Sequence, residues 1–431
     1  MDTLEGKTRA GLAAIYFMII LAVGAVLFTL PLLWITFTLS TVFLYIACLF
    51  LIHFLELKTE KLPAVTKWPT LTVLIPAYNR GESLHRCLEK VKALKYPRKI
   101  QIIVINDGST DDTSAFLKKQ KGIEVITNAQ AGGKGHALNQ ALKKAKGELI
   151  AVVDGDSYPE SDCLVRMIPN FYAAENVGSV TSIVRVNNRT GLLQKIQEIE
   201  YSVGFGLYNT VLSSLDSLFV TPGPLSIYTR KALDATGGFD EGNITEDMEI
   251  TFHLHKLGYK IRMEPEAHVY SDVPETISQL YRQRLRWTRG GFQTAYKYRR
   301  DFLSTQKMFF RFFFPLRLLM EFTSLLFLFL IVRMGLQSLQ GLQDAFWTLS
   351  LISFEAFPIP QFNITASTIY YILMLGITLA LVIFGAQALR KNTPKISIPA
   401  VLVFVFVYGV FIISVYFISL TKMFLGARQK W

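Results

Sequence analysis

The sequence is poor in cysteine. Cys48, Cys87 and Cys163 are its three thiols in 431 residues, and no two stand in C-x-x-C spacing. That excludes a disulfide-framed scaffold and a thiolate zinc site, and it suits a reducing compartment. The phosphate-loop pattern G-x-x-x-x-G-K-[ST] is absent, so a nucleotide would have to be held in another way. Lysine and arginine are missing from residues 339–366, and aspartate and glutamate from residues 276–300. Charged residues of both signs make up 18% of the chain against 51% hydrophobic, more apolar than an ordinary soluble enzyme needs. The apolar residues crowd the two ends, and the middle reads like a normal globular domain.

Residues 12–55 are an uncharged run with Pro31 near its middle. At about 20 residues per crossing this predicts two spans, so residues 1–57 are expected to hold two N-terminal transmembrane helices. The run is too long for a signal peptide and has no convincing small-residue cleavage site. Residues 316–431 are expected to hold about three more spans, near 316–338, 367–389 and 397–420. Residues 301–315, aromatic with scattered charges, read as an interfacial helix.

Orientation follows from the basic residues. Lys7 and Arg9 precede the first span, the loop 339–366 carries no basic residue, and Arg390, Lys391 and Lys395 lie between the last two spans. The expected protein is multi-pass in the cell membrane, with the bilayer as partner and residues 66–300 in the cytoplasm. Lys422, Arg428 and Lys430 conflict with an external C-terminus. The net charge of +12 fits positive-inside loops and a site for a nucleoside diphosphate. A nucleic-acid partner is not expected, because no docking motif accompanies the charge.

Within residues 66–300, short apolar runs alternate with amphipathic stretches. The runs 70–76, 100–107, 122–128 and 148–156 predict a doubly wound, Rossmann-like parallel sheet, whose ligands bind beyond the strands' carboxyl ends. Asp107, the loop Ala131–Gly135 and the pair Asp154 and Asp156 fall at or near that edge. Two carboxylates separated by one glycine can hold a hard cation such as Mg2+ or Mn2+. The bland alternative is a solvated turn, and the apolar strand leading into Asp154 weighs against it. Asp107 reads either as a ligand for a base or ribose or as a turn aspartate. Lys134, between glycines, can reach a phosphate, or it belongs to a mobile surface loop. His268 is a weak candidate third metal ligand.

The ordered set PAYN, NDGS, GGKGHALN, DGD, TPGPLSIYTR, TEDME and QRLRW resembles the processive branch of glycosyltransferase family 2, which includes hyaluronan, chitin, cellulose and poly-N-acetylglucosamine synthases. The resemblance covers about residues 70–295. It implies a GT-A glycosyltransferase domain inserted between transmembrane helices. It also implies a UDP-sugar donor, UDP-N-acetylglucosamine first among them, and a polysaccharide or lipid-linked acceptor, and it leaves room for an accessory subunit.

Residue by residue, the resemblance implies that Pro76, Tyr78, Asp107, Lys134, Asp154, Gly223, Arg284 and Arg286 contact the nucleotide sugar. Asp156, with Asp154, holds Mg2+ or Mn2+. Asp247, beside Glu246, is the catalytic base for inverting transfer, and Thr245 is expected to cap its helix. Gln283 and Trp287 meet the acceptor. Single transfer to a membrane lipid and an inactive membrane scaffold are the competing readings.

Overall fold

The computed structural model describes residues 32–58, 61–302, 307–351, 366–389 and 396–425, with Met18 and Leu21. The chain divides into two units: residues 1–49, 316–380 and 407–431 form one, and residues 50–315 and 381–406 the other.

The second unit is built on an eight-stranded sheet. Its strands are β1 (Leu71–Ala77), β2 (Gln101–Asp107), β3 (Glu124–Asn128), β4 (Leu149–Val152), β5 (Ser157–Pro159), β6 (Val177–Val186), β7 (Ser226–Thr229) and β8 (Lys260–Ser271). They lie in the order β3-β2-β1-β4-β7-β6-β8-β5. The first four are parallel, as the alternating pattern predicts. The remainder is not. β7 runs antiparallel to both β4 and β6, β6 pairs parallel with β8, and β5 returns antiparallel on β8. The expected parallel sheet is therefore a mixed sheet.

Strand side chains alternate between faces, and here both faces are covered. On one side Val73, Ile75 and Val104 pack with Leu84, Leu88 and Val91 of the helix Gly81–Lys92. On the other, Leu74, Ile103 and Ile105 pack with Ala137 and Leu138 of the helix Lys134–Leu142 and with Ile250 and Leu254 of the helix Glu246–Leu257. Burial on both faces explains why these strands read as continuous apolar runs.

The long helix Ile277–Lys297 begins at a capping box. The Thr276 hydroxyl accepts from the Gln279 amide, and the Gln279 side chain accepts from Thr276 N–H. This reciprocal pairing satisfies two amides that a helix start leaves unpaired.

The described residues include three helices long and apolar enough to cross a membrane: Phe37–Glu56, Phe309–Gln340 and Ile398–Met423. The apolar helix Ile372–Ala388 is shorter. The first expected N-terminal span falls almost wholly outside the described residues. The helix that contains the span expected near 316–338 runs on past it, since Phe314–Leu351 is helical throughout. Of the expected interfacial helix, residues 303–306 lie outside the described residues. Phe309, Phe310 and Phe313 are buried in the second unit's core, and Phe309 and Phe310 pack around Phe252. That segment covers the back of the helix Glu246–Leu257.

Candidate active site

Three segments distant in sequence meet around Lys134. Its ammonium lies 2.6 Å from Asp154 Oδ1 and 2.6 Å from Glu246 Oε1. Asp154 follows β4, Lys134 opens the helix Lys134–Leu142, and Glu246 opens the helix Glu246–Leu257. Gly133, at φ 92°, turns the chain into the first of these helices in a conformation that L side chains rarely adopt. Burial pulls the Lys134 ammonium down, but Asp154, Glu246 and Asp247 outweigh it and hold it well above the ordinary lysine value. The lysine is therefore a fixed positive charge among three carboxylates.

Gly223 closes this cluster from above. Its carbonyl accepts from Asp154 N–H at 3.1 Å. A methyl group at 223 would stand 2.5 Å from Lys134 Nζ and 2.6 Å from Asp154 Oδ2. The glycine is there because the charged pair passes directly against the backbone.

Asp247 sits half-buried on the turn after Glu246. Burial, then the neighbouring Glu246, lifts its carboxyl to about 6, against the opposing pull of Lys134 and Arg286. Its backbone is held firmly. The Asp247 carbonyl accepts from Thr251 Oγ1 at 2.7 Å and from Thr221 Oγ1 at 3.0 Å, and Tyr228 donates to Thr221 at 2.8 Å. The helix Ile277–Lys297 clamps the same turn. Gln293 accepts from Ile244 N–H and donates to the Gly242 carbonyl, and Asn243 donates to Thr294. Lys297 pairs with Glu249 at 2.5 Å and Asp240 at 2.7 Å. Thr245 does not cap the helix through its side chain. Its hydroxyl donates to Asn243 Oδ1 at 3.3 Å instead.

Asp156 lies at the other end of the D-G-D turn, where Arg80 Nη1 approaches its Oδ2 to 2.7 Å. Asp154 and Asp156 suit a hard divalent cation. Mg2+ is commonly held by one or two carboxylates and completed by substrate phosphates. Both carboxylates already attract a positive group of this chain, so the position accepts positive charge. Among the described residues no group of three or more His, Cys, Asp or Glu side chains is arranged as a self-sufficient cage.

Asp107 is buried, and its carboxylate accepts from Asn128 Nδ2 at 2.8 Å and from the backbone amides of Gly132 and Gly133 at 2.8–3.1 Å. The amides of Gly132 and Gly133 are turned onto Asp107, which holds the loop leading to Lys134. Arg284 is buried. It pairs with Glu200 at 2.5 Å, donates to Gln283 at 2.8 Å and lies 4.1 Å over the Trp287 ring. Gln283 and Trp287 thus form one packed group with Arg284, while Arg286 acts electrostatically on Asp247.

Tyr78 is exposed, and the Pro76 carbonyl faces Gly155. His268 is fully buried, with its ring nitrogens toward the Pro265 carbonyl and Glu160. The sequence assigned no role to Arg80, Thr221, Thr251, Gln293 or Lys297. Thr221 and Arg80 stand inside or beside quoted motifs, whereas Gln293 and Lys297 carry no local signal of their distant partners.

Comparison with known proteins adds three observations. Residues 69–290 match the family described as glycosyltransferase like family 2. Poly-beta-1,6-N-acetyl-D-glucosamine synthases from Staphylococcus aureus strain COL and from Staphylococcus epidermidis are each 35% identical over 240 residues, 55% of this chain and 57% of theirs. The matched region thus spans little more than half the length of these relatives. A mannosyltransferase from Pyrobaculum calidifontis, solved with GDP-Man and Mn2+, aligns over 84% of this chain and 100% of its own, with TM-score 0.60 and 19% identity. That likeness is one of fold.

Proposed function

The chain belongs to glycosyltransferase family 2, and from that premise we propose that it transfers a sugar from a UDP-sugar, UDP-N-acetylglucosamine first, to a growing polysaccharide, with inversion. The observation that carries this reading is the Lys134 bridge between Asp154 and Glu246, at 2.6 Å to each. It sets a fixed cation between the turn suited to a diphosphate and the turn that carries Asp247. The poly-N-acetylglucosamine synthases among the relatives support the choice of donor.

In the proposed reaction Asp247 takes the proton from the acceptor hydroxyl, and the freed oxygen attacks the anomeric carbon. The bond from that carbon to the diphosphate breaks, and UDP leaves with the electron pair. A carboxyl near 6 is ionised at pH 7 yet basic enough to hold the proton in the transition state. Lys134 keeps Asp154 and Glu246 in place and offers positive charge to the leaving phosphates. Asp154 and Asp156 would hold Mg2+ or Mn2+, which when bound neutralises charge developing on the diphosphate.

Gly223 keeps the backbone close to the donor. Asp107 fixes the loop that delivers Lys134, and Pro76 and Tyr78 border the nucleotide. Arg286 tunes Asp247. Gln283 and Trp287 form the acceptor wall, with Arg284 as their buried support. The proposed organisation is two N-terminal spans in residues 1–57, a cytoplasmic domain over 66–300, the aromatic segment 301–315, and further spans in 316–431. The bilayer is the partner of the apolar helices, in a multi-pass protein of the cell membrane.

The test is a donor screen on the full chain held in nanodiscs. UDP-N-acetylglucosamine, UDP-glucose and UDP-glucuronate are supplied singly and paired, with Mn2+ or Mg2+. UDP release and product size are read together. The expected result is long polymer from UDP-N-acetylglucosamine alone. A single discrete product formed only with added membrane lipid would replace polymer synthesis with glycolipid synthesis.

A further inference from the structure

Arg80 stands at the start of the helix Gly81–Lys92, directly after Asn79, whose φ is 50°. Its backbone is tied down, since Arg80 N–H donates to Thr113 Oγ1 at 3.2 Å. Its side chain is about half exposed, at 48%, while Asp156 is 23% exposed. The guanidinium reaches Asp156 Oδ2 at 2.7 Å. At the other end of the same turn Lys134 holds Asp154 at 2.6 Å. Both acids of the D-G-D turn are thus neutralised from within the chain.

The two cations differ in what they would do if displaced. Lys134 keeps Glu246 as a second partner at 2.6 Å. For Arg80, Asp156 is the carboxylate partner seen among the described residues. An inner-sphere Mg2+ sits about 2.1 Å from its oxygen. The guanidinium occupies one approach to Oδ2, so a cation that takes Oδ2 along that approach has to displace it.

Resting on the proposed role of Asp156 as a metal ligand, we infer that Arg80 is a built-in counterion that a divalent cation must displace from Asp156. A nucleoside diphosphate favours that displacement, because its phosphates offer both the cation and the freed guanidinium a new partner. Metal alone therefore binds weakly, and metal with nucleotide binds cooperatively. The protein so avoids holding a bare cation beside its base when no donor is present.

The experiment titrates Mn2+ into the full chain in detergent, with and without UDP, and reads free Mn2+ by electron paramagnetic resonance. Wild type, Arg80→Met, Arg80→Lys and Asp156→Asn are compared. Arg80→Met, at an exposed position, is expected to bind Mn2+ about fivefold more tightly without UDP, the worth of a partly exposed ion pair. UDP should improve its Mn2+ affinity less than it does for wild type, and Arg80→Lys should return toward wild type. Mn2+ affinity in Arg80→Met equal to or weaker than wild type, with Asp156→Asn losing the ion, overturns the counterion inference alone. Wild-type Mn2+ affinity in Asp156→Asn overturns the metal assignment itself, and the inference with it.

Discussion

Asp247 lies beside Glu246 within the field of Lys134 and Arg286, and burial with Glu246 lifts its carboxyl to about 6. Two consequences follow at the scale of this one residue. The proposed transfer requires the ionised form, so activity should fall as pH drops through about 6, and a pH–rate profile at saturating donor checks it. Folding shows the opposite sign. A carboxyl raised above its unfolded value favours folding below that unfolded value and loses this as pH rises through 6. Asp247→Asn removes the charge and should stabilise the ligand-free protein at pH 7. The gain is on the order of 1–2 kcal/mol for a half-buried group, shrinking toward zero by pH 4. Thermal unfolding at the two pH values reads it, and equal destabilisation at both would place Asp247 in a merely structural role.

Gly223→Ala drives a methyl into Lys134 and Asp154 and should lower UDP-sugar turnover by at least about tenfold, roughly 1.4 kcal/mol of transition-state stabilisation. At this scale the sequence was informative where an acid or lysine ended an apolar strand or followed a glycine, as with Asp154 and Lys134. It was uninformative about partners. The resemblance assigns Arg284 to the nucleotide sugar, and nothing in the sequence around it points to Glu200, 84 residues away.

The helix Ile277–Lys297 acts as a clamp on the helix that carries Asp247. Lys297 joins Asp240 to Glu249, and Glu249 is 1% exposed and also accepts from Tyr298 at 2.7 Å. Lys297→Met leaves that buried carboxylate without its cation. A fully buried pair broken this way costs 3–5 kcal/mol, and the half-exposed lysine reduces it to about 1–3 kcal/mol. A lower unfolding temperature of the detergent-held chain checks it. Activity should fall further than stability alone accounts for, because the turn at 240–247 loosens.

Among the elements, the parallel half of the sheet was legible because β1, β2 and β4 are buried on both faces and alternate with amphipathic helices. The antiparallel half was not. β7 has four residues and β5 three, too short for a periodic pattern, and their partners lie far along the chain. The segment 301–315 reads as an interfacial helix because it carries aromatics, two basic residues and no long uncharged run. That pattern does not reveal that Phe309 and Phe310 pack around Phe252 of the helix Glu246–Leu257.

For the whole molecule, the apolar helices and the basic residues between them predict which parts face the cytoplasm. In a cysteine-free background, single cysteines at Lys391 and Gln361 report on opposite sides. An impermeant maleimide on intact cells should label Gln361→Cys and spare Lys391→Cys, and the reverse would invert the orientation proposed for residues 66–300. Asp247, beside the cluster around Lys134, is the proposed base for sugar transfer. The most direct measurement compares UDP release from UDP-N-acetylglucosamine by wild type and Asp247→Asn, with UDP affinity of both measured by calorimetry. UDP affinity should agree within about twofold and turnover should fall by about a hundredfold or more, the scale of a lost general base. Turnover by Asp247→Asn at the wild-type rate would contradict that role.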